Sequence, residues 1–113
     1  MLEASFERDG TIHKASLLQM DNAVFAFFYE GQMKMGTLAV STPRLREGTV
    51  GTSSVLLGGK YLIAARALAE RSAAIFNKMS LISLNTSLTE GEALRIYSRL
   101  LDKARGASKA GII

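Results

Sequence analysis

The chain has no cysteine, no tryptophan, one proline and one histidine. Each shortage removes a class of chemistry. Without cysteine there is no disulfide, no thiolate metal site and no thiol nucleophile. His13 has no second histidine or cysteine to complete a common zinc donor set. It alternates with Thr11, Ala15 and Leu17, and reads as a surface or edge residue of a strand rather than a base or ligand. Ser53 and Ser54 have no other base to call on, so hydroxyl catalysis is not indicated. The acids Glu3, Glu7, Asp9, Asp21, Glu30 and Glu47 fall on strand surfaces and turns, with no pair set up as acid and base. No apolar run reaches the ~20 residues that span a bilayer. Residues 1–8 lack the basic and apolar segments of a secretion signal. The expectation is a cytoplasmic protein with no catalytic residues, cofactor, metal or membrane attachment.

What is present is a core. Of 113 residues, 48% are hydrophobic, enough for one packed domain. That domain is expected over residues 1–105. Residues 106–113 lack periodicity and read as a flexible C-terminal tail.

The net charge is +4, with 14 basic residues interleaved among 10 acids. The basic density rises near the end, where Arg95, Arg99 and Lys103 recur every four residues on one helix face. Glu92 and Asp102 flank that ridge, and no aromatic for base stacking lies on it. Nucleic-acid binding is therefore the weaker reading of the charge.

Hydrophobic patterning gives the elements. Leu2, Ala4 and Phe6 alternate with Glu3, Ser5 and Glu7, the period of a half-buried strand. Asp9-Gly10 is a two-residue hairpin signal. Three further strands are expected over 11–19, 23–29 and 33–41, making a four-stranded meander. A loop over 42–51 ends it, and a fifth strand covers 50–57. Gly58-Gly59 breaks into a helix beginning near Lys60, with Tyr61, Ala64, Ala65, Leu68, Ser72, Ile75 and Phe76 as its buried stripe. A sixth strand covers 81–86. Thr89, with Glu92 three residues on, caps a second helix whose stripe is Ala93, Leu94, Tyr97, Leu100, Leu101 and Ala104. Gly58-Gly59-Lys60 lacks the spacing of a phosphate loop, so it reads as a strand-to-helix break with helix amides open to water.

The fold class is α+β: a largely antiparallel six-stranded sheet in the chain order ββββ-loop-β-α-β-α, with two helices on one face. The third strand decides what the other face does. Phe25, Phe27 and Tyr29 point one way, Val24, Ala26 and Phe28 the other, and both sets are apolar. Two helices cover one face only. The second face then needs a cover, and another copy of the chain is the simplest one. Either Phe25 and Phe27 or Val24 and Phe28 form the dimer interface, the remaining pair joining the core.

The segments Lys34-Met35-Gly36-Thr37-Leu38 and Val55-Leu56-Leu57-Gly58, separated by a polar loop, carry a resemblance. With Leu68-Ala69-Glu70 and Leu81-Ile82-Ser83-Leu84 in matching order, the chain resembles the proteasome assembly chaperone 3 family, whose members pair with proteasome assembly chaperone 4. The resemblance spans roughly residues 20–104. It implies a dimer of small α+β protomers, without enzyme activity, that binds α subunits of the 20S proteasome and assists ring assembly. It also implies a partner-binding role for the loop between the two motifs, here carrying Arg44, Leu45 and Arg46. The shorter N-terminal segment and basic loop suit a divergent or archaeal relative acting as a homodimer. A dimeric adaptor with another client is the alternative.

Overall fold

The computed structural model describes residues 1–43 and 52–111, with residues 107–111 described by backbone alone. In chain order the elements are β1 (Leu2–Arg8), β2 (Thr11–Gln19), β3 (Ala23–Glu30), β4 (Thr37–Ser41), β5 (Ser53–Leu57), α1 (Leu62–Phe76), β6 (Met79–Asn85) and α2 (Glu90–Gly111). The fold is α+β, as the patterning predicts. The sheet is six-stranded, in the order β1-β2-β3-β6-β4-β5. Every neighbouring pair is antiparallel except β3 and β6, which run parallel.

The meander is shorter than the sequence suggests. It stops after β3, and β6 inserts between β3 and β4. Strands β3 and β6 carry apolar side chains on both faces, which suits the middle of a sheet, where both faces can be shielded. Asp9 and Gly10 both take positive φ, 52° and 80°, and close the β1–β2 hairpin.

Both helices lie on one face. Helix α2 packs on β1 and β2, and α1 on β3 to β6. The core between the layers joins Ala15, Leu17, Ala26, Phe28, Ile82 and Leu84 of the sheet to Leu68, Tyr97, Leu100 and Leu101 of the helices. Thr89 caps α2: its hydroxyl accepts from the Glu92 N–H at 3.3 Å. The helix then continues to Gly111, through residues 106–111, which the aperiodic sequence assigned to a tail. Alanines and a lysine there favour helix, and no proline stops it.

The two segments that carry the family resemblance meet. Gly58 has φ 111°, and a Cβ there would lie 2.6 Å from the Thr37 hydroxyl. A Cβ on Gly36 would run into the Leu84 carbonyl of β6. Both glycines allow backbone to approach backbone. The Thr37 hydroxyl donates to the Lys60 carbonyl at 2.7 Å, tying β4 to the entry of α1. The α1 amides are not left to water. Glu90, in the first turn of α2, accepts from the N–H groups of Ile63 (2.6 Å) and Ala64 (2.9 Å). A carboxylate already occupies the position an anion would take, which suits the positive end of the helix dipole.

Candidate interaction surface

The strand registers sort every side chain to one face or the other. On β3 the helices cover Val24, Ala26 and Phe28, all fully buried. Phe25, Phe27 and Tyr29 point to the opposite face, and among the described residues no helix lies over them. This resolves which face of β3 meets the helices. Val24 and Phe28 belong to the chain's own core. Phe25 and Phe27 lie on the other face.

The open face is apolar across its middle. Phe25 lies between Leu18 of β2 and Leu81 of β6. Leu81 faces Val40 of β4, and Leu38 faces Leu57 of β5. Ile12, Leu18, Met79 and Leu57 are exposed, Leu57 at 63%. The Phe25 and Phe27 rings stack in parallel, with centroids 4.3 Å apart. Phe27 lies between two serines, Ser16 and Ser83, and both are completely buried on a face that has no helix. Their hydroxyls are satisfied: Ser83 accepts from the Gly36 N–H at 2.9 Å, and Ser16 lies 3.1 Å from the Tyr29 hydroxyl. Phe25 and Phe27 themselves stay half-buried. Toward β1 the face turns polar, with Lys14 of β2 beside Tyr29 and then Glu3, Ser5 and Glu7.

The polar end of the covered face holds the residues sequence reasoning missed. His13 is 2% exposed, not a surface or edge residue. It sits on the helix side of β2 and lies 3.0 Å from the Tyr97 hydroxyl. Glu30, opposite it on β3, is buried enough to be pushed up, but its hydrogen bonds win. It accepts from the Ser87 N–H (2.8 Å), the Thr86 hydroxyl (2.8 Å) and the Ser87 hydroxyl (2.9 Å), which hold its carboxyl below the ordinary value. Burial pushes the Tyr97 phenol up to about 12. Such a carboxylate is a weak base at neutral pH and such a phenol a weak acid. Ser87 bonds Glu30 rather than His13, and no serine–imidazole pair is assembled among the described residues. The cluster pins residues 86–89, the turn into α2, and Tyr61 bonds the same turn through the carbonyls of Thr86 and Leu88. The pairing was legible in principle. Glu30 continues the Val24, Ala26, Phe28 alternation onto the covered face.

Arg44, Leu45 and Arg46 lie outside the described residues. Among the described residues, no helix is long and apolar enough to cross a membrane. Comparison with protein-family models and with curated proteins gives no match.

Proposed function

We propose that this chain is a non-enzymatic binding protein that pairs two copies through their open sheet faces. The dimer acts as a cytoplasmic assembly chaperone of the proteasome assembly chaperone 3 and 4 kind, holding α subunits of the 20S proteasome during ring formation. The observation that carries the first part is the Phe25–Phe27 face. It is apolar across several strands, polar toward β1 and without a covering layer among the described residues. Burying one such large side chain is worth roughly 1.5–3 kcal/mol, so a handful suffices to hold a dimer against its association cost. Face-to-face packing would give a sandwich with the helices outside. The second part rests on the resemblance, whose two segments make direct contact through Thr37 and Gly58.

A chaperone of this kind works by binding energy alone. It holds its clients while they assemble and leaves when their mature contacts displace it. Charged residues at the rim set the rate of encounter and the choice of client. Arg44 and Arg46 are proposed for that role.

Light scattering after size exclusion tests the dimer, which should have twice the 12.2 kDa chain mass. Phe25→Asp with Phe27→Asp should give a folded monomer. A wild-type monomer at high concentration ends the proposal. Pull-down with α subunits of the same organism tests the client. A dimer that captures none removes the chaperone role and leaves only an adaptor.

A further inference from the structure

The basic ridge of α2 does not face open water alone. It borders a groove of about 460 Å³ between α2 and β1, floored by Phe6, Ile96 and Leu100 and rimmed by Arg8, Arg95, Arg99 and Lys103. Strand β1 is an edge strand that pairs only with β2 among the described residues, so its outer backbone groups have no strand partner. Phe6, on the helix side of that strand, is 43% exposed. The acids that flank the ridge in sequence each hold a different arginine, Arg8 of the rim in one case. Glu92 takes the Arg8 guanidinium at 2.5 Å, and Asp102 takes Arg71 at 2.7 Å. Arg95, Arg99 and Lys103 have no ion-pair partner among the described residues.

We infer that this groove binds an extended acidic peptide segment of a partner protein, added to β1 as a seventh strand. Three features select that occupant. The open backbone of β1 offers the alternating donors and acceptors that a peptide strand, and no nucleotide chain, matches in register. Every second side chain of the added strand would fall on the helix side, beside Phe6, where the floor is apolar. The cations then match in spacing. Residues four apart on a helix rise about 6 Å, and alternate residues of a strand advance about 6.6 Å. Glutamates or aspartates toward the helix can therefore meet Arg95, Arg99 and Lys103 in turn. Arg8, near the start of α2, places the end of β1 beside the first turn of the ridge, so the strand and the ridge run alongside each other.

This inference does not rest on the dimer or on its clients, because the groove lies on the helix side of the sheet's β1 edge. The test uses fluorescence anisotropy with the full chain and a labelled ten-residue peptide of alternating leucine and glutamate. Controls are the same composition in two blocks, the alternating peptide N-methylated at every second amide, and single-stranded oligothymidine of matching charge. The alternating peptide should bind, weaken as salt rises, and protect β1 amides from hydrogen exchange. Arg95→Glu with Arg99→Glu, both at exposed sites, should lose about tenfold or more in affinity without a change in melting temperature. Phe25→Asp with Phe27→Asp should leave peptide binding intact. Equal binding of the block or N-methylated peptide would reduce the groove to a charge patch and overturn the inference. So would tighter binding of oligothymidine, or no binding of the alternating peptide.

Discussion

The two faces of the sheet are built from the same strands, yet they solve burial differently. On the covered face the large residues are spaced by alanines. Ala15, Ala26, Ala39, Ala64, Ala65, Ala69, Ala73 and Ala93 are all essentially unexposed, and they let two helices sit close against the strands. On the open face the spacers are serines, Ser16 and Ser83, and the rings of Phe25 and Phe27 stack face to face. One face is a joint closed within the chain. The other has no helix over it among the described residues. Alternating residues of a single strand, β3, serve both.

The sharpest way to break that comparison is to truncate neighbouring phenylalanines of β3. Phe28→Ala removes a fully buried ring from beneath α2, beside Tyr97, and should cost about 3–5 kcal/mol in urea unfolding. Phe27→Ala should cost the protomer far less. Its effect should appear instead as a melting temperature that no longer rises with protein concentration, the mark of lost self-association. Equal losses for both, independent of concentration, would mean that the faces do not differ in kind.

The polar clusters sharpen the same contrast at smaller scale. Tyr97 and His13 face each other under α2, whereas Tyr29 and Ser16 meet on the open side. Tyr97→Phe strands the buried imidazole without its hydroxyl partner and should cost about 1–3 kcal/mol. Tyr29→Phe should cost less, because the Ser16 hydroxyl keeps a contact with Glu3 at 3.5 Å. A reversed order, read from paired unfolding curves, would make the open face the more constrained of the two. Below these stands Glu90→Ala. It removes the acceptor for two α1 amides and should cost about 1 kcal/mol, the scale of a lost helix cap.

Much of this was legible from the chain because periodicity reports burial. The strand alternations, the Asp9-Gly10 turn and the Thr89–Glu92 cap follow from local pattern, and the α+β class follows from their order. What local pattern does not carry is adjacency. Nothing in residues 33–41 says that β4 pairs with β6 rather than β3, since either neighbour would accept its apolar side chains. Both sides of β3 are apolar, so periodicity could not say which side meets the helices. His13 was misplaced for a related reason. An imidazole looks polar in sequence, and only the register opposite Glu30 and the approach of Tyr97 make it a buried residue. The α1 amides were likewise assigned to water because their acceptor, Glu90, comes from another helix 26 residues from Ala64.

The smallest effect concerns pH, and it belongs wholly to the covered face. Glu30 is 18% exposed in its side chain, and hydrogen bonds from Ser87 and Thr86 outweigh burial to hold its carboxyl low. A group whose folded value lies below its unfolded one adds stability above the unfolded value, about 4.3 for glutamate. That contribution disappears as pH falls through the folded value. Wild type should therefore lose stability relative to Glu30→Gln on acidification below about pH 4.3, the two curves running parallel above it. The amide keeps an acceptor for Ser87 and Thr86 but carries no titrating proton, so a structural role alone would give a fixed offset with no pH dependence. Unfolding free energies measured from pH 7 to pH 3 separate the two. A constant gap would show that the turn into α2 is held by shape, while a narrowing gap assigns it to the charge that β3 carries to the end of its covered face.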